Sequence, residues 1–372
     1  MSTDILIVDS LYVSINGKEI LRDISFNIKK GEQWVVYGGA GSGKTVFAQT
    51  LAGNFAFKGN IRFPEADKSN RENKIMIVEQ KHRFRNLQNQ SNFYYQQRYN
   101  AVDAEATITV EENLFHLDEG ECGEFTKAEL LQLFGLSHLL KEPLIQLSNG
   151  ENKRLQILKA ILSGYQLLIL DEPYTGLDEE GRNLLDNILF VLMESGQHFI
   201  LLDSRGEMPV CFKKFARLSE GKLYHTNKIE KTHLHPKGVI VGAVKEFPSA
   251  ISFSYPDFNN AVKMEQVSVH YDGKKILDGI SWLVKRESRW ALTGANGAGK
   301  STLLSLITAD NPQSYANEIY LFDRKRGTGE SIWEIKQKIG FLSPELQLYF
   351  DGTCTAFNAI ASGLFDTIGL FR

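Results

Sequence analysis

The sequence predicts an α/β protein, a mostly parallel sheet with an inserted helical subdomain, repeated in tandem with the second copy incomplete. Three observations carry this. Short continuous apolar runs, LLIL at 167–170 and HFILL at 198–202, read as parallel strands buried on both faces. Helical stretches, LLQLF at 130–134 and KRLQILKAILSG at 153–164, belong to the same stretch of chain, which sets an α/β pattern. Two pairs of segments repeat at one spacing. INGKEIL at 15–21 returns as YDGKKIL at 271–277, and GGAGSGKT at 38–45 returns as GANGAGKS at 294–301. Both pairs lie 256 positions apart (271 − 15 and 294 − 38), which implies one fold used twice.

The elements follow in order. QWVVYG (33–38) is a short apolar run that feeds a glycine turn, and TVFAQTLAG (45–53) continues with helical spacing, Gly53 suiting the C′ position. RLSEGKLYH reads as a closing hairpin around Glu220-Gly221. The first copy is therefore assigned to residues 1–226. Residues 227–262 have no sustained period and carry Pro236, Pro248 and Pro256, which reads as a linker. The second copy is assigned to 263–372. If the copies are equal, roughly half of the second is missing, and a fragment or truncated gene is the expectation.

Composition narrows the function classes. The 372 residues fit two or three domains at ~100–200 residues each. Hydrophobic residues at 42% and charged residues at 23% exclude a disordered chain. Lys and Arg number 42 against 45 Asp and Glu, so no global basic field advertises nucleic acid, which is not expected as a partner. Cys122, Cys211 and Cys354 are widely spaced and odd in number, giving neither a metal-ligand spacing nor a disulfide framework. That favours a reducing compartment. MSTDILIVDS has no basic region leading into an apolar one, so no signal peptide is read. No apolar run approaches the ~18–20 residues needed to span a bilayer. The expectation is a cytoplasmic protein.

Gly38-x-x-x-x-Gly43-Lys44-Thr45 and Gly294-x-x-x-x-Gly299-Lys300-Ser301 are two phosphate loops, each expected between a strand and a helix. The glycines, including Gly41 and Gly297, let consecutive N–H groups turn inward as an anion nest, and the following helix adds its dipole. Lys44 and Lys300 are expected on the β/γ-phosphates, and Thr45 and Ser301 on Mg²⁺. Thr302 follows in the second loop as a further nucleotide contact. A glycine-rich turn that binds nothing is the bland alternative; two loops in register argue against it.

Downstream, KIMIVEQ ends in Gln80, followed by LSNGE (147–151), LLILDEP (167–173) and Gly176-Leu177-Asp178. At these residues the chain resembles the ATP-binding cassette (ABC) family, over residues 1–225 and 263–372. The resemblance implies ATP and Mg²⁺ as cofactors. It implies a Q-loop at Gln80, serving metal and attacking water, and a signature at Ser148 and Gly150. It implies a metal carboxylate at Asp171, a catalytic base at Glu172 and a D-loop at 176–178. Ser148-x-x-Glu151 is also a capping box. The two readings are compatible, because a helix N-terminus suits an anionic phosphate. Asp171-Glu172 ends a buried strand, where ligands bind in α/β sheets.

In this family the signature of one cassette completes the nucleotide site of another, head to tail, within or between chains. SYANEIYLFDRKRGTGESIWEIKQKIGFLSPEL (314–346) resembles more closely the tandem ATP-binding proteins of the molybdate-transport and photorepair type. The implied partner is a membrane permease or another protein, and the implied location the cytoplasm or the inner face of the plasma membrane.

Four departures matter. The adenine-stacking aromatic is Tyr271 in the second copy but Ile15 in the first, with Tyr12 nearby as a substitute; a lost ring face costs about 1–3 kcal/mol. Ser204 stands where the family places a switch histidine, and His198 reads as packing. Pro344 replaces the second Gln, with Glu345 beside it. The second copy ends before a signature or metal carboxylate. Residues 81–106, rich in Arg, Gln, Asn and Tyr, read as a polar surface loop, with a protein-partner surface as the alternative. Two function classes result: an ATPase that drives a partner, and a nucleotide-dependent regulatory module with little or no turnover.

Overall fold

A computed structural model describes residues 3–64, 75–79, 108–115, 117, 125–144, 147–204, 209, 211–229, 257–271, 273–294, 297–308, 311–342 and 354–365. They fall into two compact units, one within residues 1–247 and one from 248 onward.

The first unit opens with an antiparallel hairpin, β1 (Asp4–Ile15) and β2 (Lys18–Lys29). Its turn is Asn16-Gly17 with φ 51° and 77°, the positive pair that an Asn-Gly turn accepts without strain. β3 (Trp34–Tyr37) follows, then α1 (Lys44–Leu51), β4 (Lys58–Arg62) and β5 (Ile75–Val78). α1 ends in a Schellman motif. Gly53, at φ 83°, donates to the Thr50 carbonyl and Asn54 donates to that of Gln49. Next come three helices, α2 (Val110–Leu114), α3 (Lys127–Leu133) and α4 (Asn149–Leu162). Each begins in a reciprocal capping box, Thr109 with Glu112, Thr126 with Glu129, and Ser148 with Glu151. β6 (Leu167–Asp171), α5 (Glu179–Glu194), β7 (His198–Asp203), β8 (Lys214–Ser219) and β9 (Lys222–Thr226) complete the unit.

β4 joins the hairpin in a three-stranded sheet ordered β2-β1-β4. The second sheet has six strands ordered β5-β6-β7-β3-β8-β9. It is parallel except for β9, which turns back through Glu220-Gly221 at φ 51° and 77°. The helical subdomain α2–α4 is thus inserted between β5 and β6. β3 lies inside the sheet with all four residues buried, and Trp34 packs edge-on against Phe26 and His225. One core cluster runs from the antiparallel sheet through β3, β6, β7 and β8 to Phe47 and Leu51 of α1.

The second unit begins with β10 (Asn260–Tyr271) and β11 (Lys274–Lys285), paired as β1 and β2 are. Its first strand thus starts ahead of Lys263, the start assigned from the sequence. α6 (Lys300–Ile307), β12 (Glu318–Leu321), β13 (Arg324–Lys325), α7 (Ile332–Lys336) and α8 (Ala356–Ser362) follow. The sheet is antiparallel, ordered β11-β10-β12-β13, over a core that includes Met264, Val267, Leu306 and Ile319. The repeat predicts a strand ahead of the second phosphate loop, and here the structure differs. Residues 288–294 form no strand, and Trp290 is 60% exposed. β3 is held by β7 and β8, and the described residues of the second unit include no counterpart of either. An extended run without ladder partners leaves its N–H and C=O groups to solvent.

Candidate functional site

β3 delivers the chain to Gly38 in the middle of the sheet. Gly38 N–H donates to the Asp203 carbonyl at 3.3 Å, and a Cβ there would collide with the Leu218 carbonyl and the Ser42 hydroxyl. Gly41 and Gly43 take φ 75° and 102°, a region glycine enters without a Cβ penalty, and so shape the loop. The Ser42 hydroxyl is buried with no protein partner. α1 starts at Lys44, whose ammonium curls back to donate to the carbonyls of Gly38 at 2.8 Å and Gly39 at 3.3 Å.

The ends of β6 and β7 face this loop. The Thr45 hydroxyl donates to Asp171 Oδ2 at 3.1 Å, and Lys44 Nζ stands 3.9 Å from Glu172 Oε1. Burial pushes the Lys44 ammonium below its ordinary value, while Glu172, Asp171 and the buried Asp203 pull it back up. Burial pushes the Asp171 carboxyl up, the Thr45 hydroxyl pulls it down, and the Glu172 charge adds to the rise. Glu172 has φ 48°, a costly value for a side chain of its size. Its N–H donates to the Leu202 carbonyl at 3.0 Å and its own carbonyl accepts from Thr175 N–H at 3.2 Å. The strand-end turn is therefore pinned on both sides. The Tyr174 hydroxyl donates to Asp186 Oδ1 at 2.7 Å, and burial drives that phenol well above its usual range.

Gly38, Gly41, Gly43, Lys44, Thr45, Asp171 and Glu172 are thus brought together. Ser148 and Gly150 stand at the start of α4. Ser148 N–H donates to Glu151 Oε2 at 2.8 Å, and a Cβ on Gly150 would lie 3.2 Å from Leu177. Gln80 lies outside the described residues, as do Pro344, Glu345 and the stretch 81–106. In the second unit Lys300 Nζ donates to the Gly294 carbonyl at 2.7 Å, with Gly297 and Gly299 at φ 79° and 84°. Ser301 is exposed and Thr302 buried. The Tyr271 hydroxyl accepts from Asn311 Nδ2 at 2.7 Å.

Tyr12 does not stand in for Ile15. Leu11, Val13 and Ile15 turn to the core, whereas Tyr12 lies on the opposite face with its hydroxyl bonded to Asp23. His198 opens β7, half-buried, and its Nε2 accepts from Gly31 N–H at 3.1 Å. Ser204 directly follows Asp203. Sequence reasoning missed two residues. Asp203 ends an apolar run as Asp171 does, which was a readable signal. Lys153 precedes Ile157 and Ile161 by four and eight residues, on the inward stripe of α4, and is itself buried.

Among the described residues, no three His, Cys, Asp or Glu side chains are placed to hold a metal by themselves. The Thr45–Asp171 oxygen pair suits Mg²⁺, which keeps waters and phosphate oxygens as further ligands. The unpartnered Ser42 hydroxyl and the glycine cradle suit phosphate.

A glycine loop from a central parallel strand, a lysine at its helix start and two carboxylates at the end of β6, two strands away in the same sheet, define a P-loop nucleotide-binding protein. The ABC transporter family model matches residues 21–175 and 277–358. The ABC transporter ATP-binding protein ModF of Escherichia coli is 32% identical over 357 residues, 93% of this chain and 71% of that one. An uncharacterised ABC transporter ATP-binding protein of Schizosaccharomyces pombe is 30% identical, over 92% of this chain and 72% of its own length. The structure of cbiO1 from Clostridium perfringens, part of an ABC transporter complex, is 26% identical with a TM-score of 0.46, covering 60% of this chain and 88% of that one. The chain belongs to the ABC transporter ATP-binding family.

Proposed function

We propose that the first unit binds and hydrolyses Mg-ATP and that this cycle drives a conformational change in a partner protein, the membrane subunit of a transporter. One arrangement supports the reading: Lys44, Thr45, Asp171 and Glu172 meeting where β3 and β6 end. Lys44 exchanges its two backbone carbonyls for phosphate oxygens, and the loop N–H groups hold the remaining charge. Thr45 and Asp171 are the residues that would hold Mg²⁺, which when bound offsets charge on the phosphates. Glu172 Oε1 takes the proton of the attacking water, its position held by the pinned turn.

Ser148 and Gly150 serve a phosphate loop other than that of Lys44, in a head-to-tail pairing of cassettes within or between chains. Among the described residues no helix is long and apolar enough to cross a membrane, which fits a partner that supplies the span. The resemblance to molybdate-transport proteins makes a permease of that type the first partner to test.

A second reading, that the chain is a nucleotide-dependent regulatory module with little or no turnover, is favoured by the second unit, whose described residues hold no counterpart of β6 and β7. Steady-state ATP turnover, measured beside Glu172→Gln over a range of protein concentrations, separates the two. The ATPase reading expects turnover that rises with concentration and falls ~10²–10⁴-fold in the variant, with ATP still bound. Bound ATP without turnover in either protein supports the second.

A further inference from the structure

Lys153 occupies an expensive position. It lies near the N-terminus of α4, where the helix dipole disfavours a cation, and it is 3% exposed. Its ammonium donates to the Glu79 carbonyl at 2.6 Å, just past the end of β5. Asp171, at the end of β6, and the Glu79 carboxylate act on it electrostatically. A lysine that served stability alone would be a poor choice here, because an apolar side chain of similar length would avoid the desolvation. Its neighbour Arg154 faces elsewhere, its Nε donating to the Phe134 carbonyl at 2.9 Å.

One side chain therefore joins the helix opened by Ser148 to the end of β5. The same corner is tied to the phosphate-loop helix, because Gln49 Nε2 of α1 donates to Glu79 Oε1 at 2.8 Å. A change at Thr45–Asp171 thus has a short physical route to the start of α4. The path runs along α1 from Thr45 to Gln49, through Glu79 to the Lys153 ammonium, and down its stem to the backbone of α4.

We propose that Lys153 is a positioning residue that couples nucleotide occupancy at Lys44, Thr45 and Asp171 to the order of the Ser148–Gly150 turn. The inference rests on the nucleotide-binding reading of the first unit. Lys153 touches neither phosphate nor metal. It acts by holding the Glu79 backbone and the α4 turn in one register with α1, so that ordering at one end is felt at the other.

The test uses the full chain with a fluorescent ATP analogue and Mg²⁺. Amide hydrogen exchange is followed in a peptide covering 147–155, in the wild type, Lys153→Met and Lys153→Arg, with Lys44→Ala as the control for binding. In the wild type, Mg-ATP slows exchange in this peptide. In Lys153→Met the analogue still binds within about 3-fold and the melting temperature is not lowered, but the nucleotide-dependent slowing drops by ~5-fold or more. Lys153→Arg, which keeps a donor and a charge, restores part of it. If Lys153→Met binds the analogue and retains the full slowing, the coupling role is wrong while the binding reading stands. If the wild type binds no analogue, or Lys44→Ala binds it equally well, the binding reading itself fails and the coupling role falls with it.

Discussion

The two phosphate loops are close copies set in different surroundings. Lys44 and Lys300 each donate to the first glycine of the loop, at 2.8 and 2.7 Å, and each opens an eight-residue helix after a glycine with positive φ. There the likeness stops. Lys44 is 8% exposed among Asp171, Glu172 and Asp203. Lys300 is half-buried, beside an exposed Ser301, and the run that leads into its loop forms no strand. The loop's shape is written in eight consecutive residues; its chemistry is not. The carboxylates arrive from strands more than a hundred residues away, and only a complete parallel sheet puts them in place.

The sharpest way to probe this contrast is through the equivalent tryptophans. Trp34 is 6% exposed and packed on Phe26 and His225, whereas Trp290 is 60% exposed against Trp282. Trp34→Ala is expected to cost ~3–5 kcal/mol. Trp290→Ala should stay within about 0.5 kcal/mol, as an exposed substitution does. Differential scanning calorimetry would register a large fall in one transition and little change in the other. Equal falls would mean that the run 288–294 is packed after all.

The lysines come next. Lys44→Ala removes a buried cation from a cluster of carboxylates and is expected to weaken nucleotide binding at the first loop by ~2–5 kcal/mol. Lys300→Ala, in an exposed loop where water screens the charge, should weaken the second by about 1 kcal/mol. Titration calorimetry on the two variants reads each loss separately. Matching losses would show that the sheet contributes nothing to the first site.

A further difference is a pH dependence confined to the first unit. Burial holds Lys153 at about 8, below the ordinary 10.5, with Asp171 and Glu79 opposing the fall. Between those values the unfolded chain binds more protons than the folded one, so stability rises with pH through this window. The gain is complete above the unfolded value and is lost as pH falls through about 8. Denaturant midpoints from pH 7 to 10 should climb in the wild type and climb less in Lys153→Met. Parallel slopes would mean that Lys153 keeps its ordinary affinity for protons.

Much of the architecture is legible without coordinates, because it follows from local patterns. Asn16-Gly17 and Glu220-Gly221 announce their hairpins by turn chemistry. Leu167–Asp171 and His198–Asp203 announce buried strands by unbroken apolar runs. Ser148 with Glu151 announces a helix start. Even the pairing of Lys44 with Asp171 and Glu172 is expected from motif order. Three features resist such reading. Ile15 and Tyr12 are three positions apart, and only strand alternation in the folded sheet shows that they point to opposite faces. Lys153 is one charged residue in the run ENKR until packing turns it inward onto Glu79. RWALTG has the pattern of a strand and is not one.

The sequence by itself therefore determined the glycine cradles, the helix caps, the strand-forming runs and the duplication, since each depends on the conformational preferences of a few adjacent residues. The tertiary structure alone decided which cradle is surrounded by acid, which lysine is buried and which apolar run becomes a strand. Burial, dielectric and ladder partners are properties of residues far apart in the chain. They exist only once the sheet that unites those residues has closed around them.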